Sequence, residues 1–498
     1  MLEIGMSEPE SIDGVRYHSV EAGYFEKRGL RKYAGVWSLW ALGVGAVISG
    51  DFFGWNFGLA AGGFGGLFIA TLIVVVMYLG LCFSLAEMSP ALPHTGGAYS
   101  FGRSAMGPWG GFLTGLGENM EYVLTPAVIV VGIGGYLGAI FETPTELAPM
   151  WWLICYVVFV GLNYWGVELS FKFTLVITFV ALAILIVFFL GAISHFDFTT
   201  NALNIEPGPG NSAFLPFGMA GILASLPFAI WFFLAIEQLP LAAEEAHDPK
   251  RDMPRGLLLG ILTLITLAFL TLFLSAGMAP GAKEIGTSTE PLFLGFQTIF
   301  GDGIGVKLLA VTAAAGLIAS FHAIIYAYGR NIYSLARAGY FPKWLSVTHG
   351  ERKTPHVALF AGAALGFLVA LAMQYSGSKL VGAALLNMAV FGAMISYIMQ
   401  LASFILLRSK LPDIERPFVS PLGVPGAVVA LVIAVVTFVS LFFNPDYLPG
   451  VWGCAIWFLI GIAYFGLYGR HHLVKSPEEA FAIGHRSRKS GVVPGLAD

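Results

Sequence analysis

Four carboxylates and a histidine lie inside stretches otherwise apolar enough to sit in lipid: Asp51, Glu118, Glu121, Glu237 and His322. A charged side chain near a bilayer centre costs about 2.5–3.5 kcal/mol on insertion scales, so each is a functional candidate by default. The chemistry on offer is cation handling. A carboxylate holds an ammonium group, carries a proton or caps a helix, and an imidazole titrates near neutrality. No Lys or Arg lies at comparable depth, since Lys172 and Arg330 stand nearer the ends of their apolar runs. An acid-rich, base-poor interior suits a cationic substrate or a transported proton better than an anion.

Each residue also has a plainer reading. Asp51 is either a ligand contact or the N-cap of a half-helix starting near Phe52. Glu118 and Glu121, in "GLGENMEYV", share a helix face at i, i+3 and either line a pathway or bond a neighbouring helix. Glu237 directly follows a suspected helix break and carries the stronger functional reading. Trp231 and Phe233 are ordinary packing aromatics or faces for an ammonium group. His322 and Ser320, in "LIASFHAIIYAY", are core residues or an ion- or proton-coupling pair.

The elements that must hold these groups follow from composition. The chain has 498 residues, of which 57% are hydrophobic and 11% charged. A soluble protein carries about 25% charged residues, so the expected class is an all-α integral membrane protein. Spanning helices need roughly 20 apolar residues. Twelve such stretches are expected, near 36–58, 64–88, 109–140, 150–167, 173–194, 216–240, 256–279, 306–330, 356–375, 379–407, 424–443 and 450–469. All Lys and Arg except Lys283, Lys307 and Lys379 fall on one side of this topology. By the positive-inside rule that side is cytoplasmic, which places both termini inside an inner membrane. The polar segment 1–34 has no hydrophobic signal core, and the tail 470–498, mixed in charge, reads as solvated and not as a nucleic-acid arm. Cys82, Cys155 and Cys454 sit in apolar runs, where a disulfide framework is not expected.

Two spans are interrupted. "GVGAVISGDFFGWN", Gly43 to Asn56, places four glycines, a serine and an aspartate at mid-depth of the first. The sixth carries Pro227, Pro240 and Glu237. Proline removes a backbone donor, and irregular backbone survives in a membrane only when buried in protein or lining a wet cavity. Breaks five spans apart divide the chain into two units of opposite orientation, 35–194 and 216–407, with 424–469 as two added spans. Paired breaks in inverted units point to a transporter's central site, the alternative being flexible kinks in structural helices.

Several phrases resemble the amino acid–polyamine–organocation superfamily of secondary transporters. "GVGAVISGDFF" is similar to its unwound first span, and "AEMSPALPHTGGAYSFGRSAMGPWGGFLTG" to the signature joining spans two and three. "FFLAIEQLPLAAEEAHDPKRDMPRG" resembles the sixth span with its following loop, and "GRNIYSLARAGYFPKWL" the close of the eighth. The resemblance implies a five-plus-five inverted repeat, alternating access, and a site between spans one, three, six and eight. It assigns substrate contact to Ile48, Ser49, Gly50 and Asp51 in span one and to Trp231, Phe233, Leu234, Ala235 and Glu237 in span six. With Glu118 and Glu121 these form the expected binding set.

Two departures shape the substrate expectation. Asp51 stands where relatives have a small or apolar residue facing the substrate carboxylate, so a fixed charge there favours an amine lacking one. "VISGDFFGWN" most resembles the ethanolamine permease branch, and ethanolamine is a small cation with a hydroxyl. The lysine that some proton-coupled relatives carry in span five is absent from "TLVITFVALAILIVFF", leaving His322 or a carboxylate for coupling to H+ or Na+. The expectation is a secondary transporter importing a small amine, ethanolamine being favoured, with a neutral or cationic amino-acid permease or exchanger as the alternative and an amine sensor as a distant one. An enzyme is not expected, nor a cofactor or nucleic-acid partner. The phosphate loop needed for direct ATP drive is missing, and oligomeric state is left open.

Overall fold

The computed structural model describes residues 10–490 apart from 95, 289, 302–303, 376–380 and 444–447. Residues 1–9, 491–498 and Lys379, at the expected start of a span, therefore lie outside the described residues.

Helices dominate because the long apolar runs can satisfy their backbone groups only internally. The first expected span is α1 (Val36–Val47) followed by α2 (Ser49–Phe52), and α3 (Phe57–Ala91) and α4 (Ala98–Phe141) come next. Then follow α5 (Ala148–Trp165), α6 (Val167–Ile193) and α7 (Gly218–Trp231). A tighter 3₁₀ segment, Ile236–Glu245, leads into α8 (Pro249–Ala276), the short α9 (Ala282–Ile285) and α10 (Pro291–Phe300). The remainder is α11 (Ile304–Arg337), α12 (His356–Tyr375), α13 (Val381–Lys410), α14 (Gly423–Ser440), α15 (Leu448–Leu467) and α16 (Pro477–Ser490). Among the described residues, nine helices are long and apolar enough to cross a membrane, and Val36–Phe52, Pro291–Phe300 and His356–Ala372 are shorter apolar helices.

Two glycines redirect helices that continue past them. Gly63 in α3 has φ +70°, and a Cβ there would strike the Pro216 ring. Its positive φ separates a short half-helix, residues 57–62, from the long span that follows. Gly107 (φ +83°) likewise splits residues 98–106 from the span that begins at Pro108.

Segments near both ends of the described chain are built into the fold. β1 (Glu10–Ile12) and β2 (Val15–His18) form a hairpin across Asp13-Gly14, both with positive φ as a two-residue turn requires. β2 also pairs in parallel with β3 (Leu473–Val474), matching Tyr17 with Leu473. This joint delivers α16 to the bundle end and corrects the expectation of a solvated tail: Glu478 and Glu479 are buried. Glu479 accepts from Tyr17 Oη at 2.5 Å, Arg103 Nε at 2.6 Å, Tyr99 Oη at 2.8 Å and Tyr340 Oη at 2.9 Å. Burial, reinforced by Glu479, pushes the Tyr17 phenol above its ordinary range, so it remains a donor. Arg337 pairs with Glu478 and also donates to Glu244 at 2.6 and 3.0 Å. Arg330 meets Glu245 at 2.9 Å, and Tyr326 donates to the same carboxylate. The span-six segment, α11 and the tail are thereby tied together at one end of the bundle.

Removing one member of a buried ion pair costs about 3–5 kcal/mol, because a charge is left without a partner, whereas an exposed pair contributes about 0–1 kcal/mol. Glu479→Ala should therefore lower the apparent melting temperature of the detergent-purified protein far more than Glu415→Ala, which breaks the exposed contact with Lys250. Equal shifts would remove α16 from the structural core.

Candidate functional site

The first break is closed by one hydroxyl. α1 ends at Val47 and α2 restarts at Ser49, so backbone groups on both sides need partners from elsewhere. Ser320 of α11 supplies them: its Oγ accepts from the Ser49 N–H at 2.9 Å and donates to the Gly45 carbonyl at 2.8 Å. Ile48, at the junction, accepts from the Asp51 N–H at 3.1 Å. Gly45 lets α6 approach, since a Cβ there would lie 2.5 Å from Thr178 Oγ1.

The second break lies across the first. α7 stops at Trp231, and Ala235 takes φ +82°, a left-handed conformation uncommon for alanine, before the 3₁₀ segment begins. Leu234 donates its N–H to the Ile230 carbonyl at 2.9 Å. A Cβ on Gly50 would collide with the Trp231 carbonyl, so this glycine allows backbone to touch backbone. The Trp231 indole covers Gly54, and its Nε1 has no hydrogen-bond partner. Phe232 stacks on Trp55 at 5.5 Å. Phe233 turns toward Tyr78 of α3, 5.2 Å away.

The acidic residues divide into two neighbourhoods. Asp51 is buried, and its Oδ1 accepts from Thr271 Oγ1 of α8 at 2.9 Å while Oδ2 is unpaired. Asp51 thus bonds across to α8, and among the described residues its carboxylate does not cap a half-helix. The other neighbourhood gathers Glu118, Glu121 and Glu237. Tyr122 Oη lies 3.3 Å from both Glu118 Oε1 and Glu237 Oε1. Asn331 of α11 donates to Glu118 Oε2 at 3.2 Å, and Tyr397 of α13 donates to Glu121 Oε1 at 3.4 Å. Tyr397 also meets Tyr78 Oη at 3.1 Å. Glu121 Oε2 and Glu237 Oε2 have no donor.

His322 belongs to neither group. Its ring nitrogens meet the Asn163 amide at 3.1 Å and the Ser170 hydroxyl at 3.0 Å, and Phe173 packs against it at 4.8 Å. The structure thus brings Ser49, Gly50, Asp51, Trp231 and Ser320 to one crossing, gathers the glutamates in a second neighbourhood, and turns His322 of α11 toward α5 and α6. Thr271, Tyr78, Tyr122, Tyr397 and Asn331 were not expected from sequence. Only Tyr122 carried a signal, four residues after Glu118 on the same helix face.

A family model described as amino acid permease matches residues 39–475. An uncharacterized transporter of Rhizobium meliloti is 29% identical over 412 residues, covering 81% of this chain and 85% of its own. The branched-chain amino acid permease of Bacillus subtilis is 26% identical over 466 residues, covering 90% of this chain and 95% of its own. The methylthioribose transporter of the same organism is 26% identical over 475 residues, with 90% and 95% covered.

Ser320→Ala would strip the partner from the Ser49 N–H and the Gly45 carbonyl at once, and each buried group left unsatisfied costs about 1–3 kcal/mol. The expected outcome is a clear loss of thermal stability in purified protein. Ser409→Ala, which removes an exposed hydroxyl bonded to the Leu406 carbonyl, should leave stability nearly unchanged. Indistinguishable variants would mean that the break does not depend on Ser320.

Proposed function

The chain belongs to the amino acid permease family, multi-pass membrane transporters and not enzymes, and from that premise we propose a secondary active transporter that imports a small amine, ethanolamine being favoured. The observation that carries the reading is Asp51: a buried carboxylate at the crossing of two broken helices, with one oxygen held by Thr271 and the other unpaired. An ammonium group placed there gains a charge-assisted bond in a low-dielectric site. The same charge repels the carboxylate of an α-amino acid. The Ser49 hydroxyl and the backbone of the second break offer partners for the substrate hydroxyl, and the Trp231 indole over Gly54 is positioned to close on the cation.

Alternating access follows if spans one, two, six and seven rock against the others. The positive-inside asymmetry supports an inner-membrane protein with both termini in the cytoplasm. On that side, Arg330–Glu245 and Arg337–Glu244 tie the end of span six to α11, which favours a conformation closed toward the cytoplasm. Among the described residues neither Asp51 nor Glu237 pairs with a basic side chain, which supports a cation as the transported species.

A second reading, an amino-acid permease or exchanger, is supported by the branched-chain permease among the relatives. Competition separates the two. Alanine or arginine should inhibit labelled ethanolamine uptake poorly under the first reading, and as strongly as ethanolamine itself under the second. Accumulation in proteoliposomes separates either from a sensor.

Asp51→Asn should lower the kcat/KM of ethanolamine uptake about 10- to 100-fold, the equivalent of losing one charged hydrogen bond, with the amount of protein in the membrane unchanged. Unchanged uptake kinetics in that variant would take Asp51 out of the site.

A further inference from the structure

Glu121 of α4 and Glu237 of the segment after α7 bring their carboxyl groups within hydrogen-bonding reach of one another. Both side chains are buried, at 0% and 1% exposure, and each has one oxygen, Oε2, that receives no other donor. Their Oε1 atoms are held from outside, by Tyr397 at 3.4 Å and Tyr122 at 3.3 Å. Among the described residues, the titratable groups facing the pair are Glu118 and Tyr122 from α4, Tyr78 and Cys82 from α3, and Tyr397 from α13. None of these is a cation.

Two charges 4 Å apart interact by about 4 kcal/mol even at an effective dielectric of 20, so two carboxylates in this contact would repel strongly. An ionised carboxylate only accepts hydrogen bonds, so a bond between two carboxyl groups needs a proton on one of them. Glu118 differs from its neighbours: its Oε2 has an amide donor of its own, Asn331 at 3.2 Å, an arrangement that suits a carboxylate. The phenols around the pair point hydroxyl donors at it, which suits a shared proton better than a bare metal cation.

We infer that Glu121 and Glu237 share a single proton and are the coupling site of the transport cycle, which makes the driving ion H+. The inference rests on the amine-transport reading. It moves coupling away from His322, whose ring nitrogens are occupied by Asn163 and Ser170. Glu121 belongs to span three and Glu237 to span six, elements that alternating access separates. With the proton present the carboxyls bind across that joint. Its release to water leaves two like charges that push the joint apart, so protonation and opening are linked.

The test uses full-length protein in proteoliposomes with the membrane potential clamped. An inward proton gradient of one pH unit should drive accumulation of labelled ethanolamine toward about tenfold if one proton accompanies each substrate. Glu121→Gln should sharply lower the ratio of gradient-driven accumulation to ethanolamine counterflow. Accumulation indifferent to the gradient, or a ratio unchanged in the variant, would overturn the pair. If ethanolamine shows no counterflow in the unaltered protein, the amine reading itself has failed. Infrared difference spectra between that protein and Glu121→Gln/Glu237→Gln then test the pair without substrate. A carboxylic-acid carbonyl band at neutral pH supports it, and its absence overturns it.

Discussion

Open backbone inside a membrane has no water to turn to, and the architecture around the two breaks is an answer to that constraint. Ser320 spans the gap in the first helix by donating to one side and accepting from the other. Gly50 then lets the Trp231 carbonyl approach so closely that no side chain fits between them. The polar main chain of both breaks is thereby concentrated at a single crossing. Among the described residues, Asp51 Oδ2 and the indole N–H groups of Trp231 and Trp55 are left without a protein partner there, and a ligand can use them.

Charge is sorted with depth by the same economy. The buried arginines, Arg103, Arg330 and Arg337, each meet a glutamate at the end of the bundle that holds the β1–β3 sheet and α16. Toward the crossing the acids have, among the described residues, hydroxyls and amides as partners: Thr271 for Asp51, and tyrosines with Asn331 for the glutamates. A buried carboxylate without a base is expensive, and its retention calls for a cation that visits. Two separate neighbourhoods allow two visitors, a substrate ammonium at one and a proton at the other.

Much of this was legible in the chain. Among the described residues nine helices are long and apolar enough to cross a membrane, and the glycines of "GVGAVISGDFFGWN" and the prolines of span six mark where two of the expected spans break. Local pattern could not supply partners. Thr271 lies 220 residues from Asp51, and Tyr397 lies 276 from Glu121, so neither spacing leaves a periodic trace. The tail was misread for a similar reason: "KSPEEAF" has the composition of a solvated helix start, and only the β2–β3 pairing carries Glu478 and Glu479 into the bundle. Gly63 and Gly107 were hidden because each stands among other glycines, Gly62, Gly65 and Gly66 around the first and Gly110 and Gly111 after the second, and the sequence does not say which of them takes a positive φ.

The central claim is that the free oxygen of Asp51 receives the ammonium of a small amine. A structure of the protein determined with bound ethanolamine tests it most directly. The account predicts the ligand nitrogen within hydrogen-bonding distance of Asp51 Oδ2, beneath the Trp231 indole. Ethanolamine seated among the glutamates, with Asp51 still bonded to Thr271 alone, would contradict it.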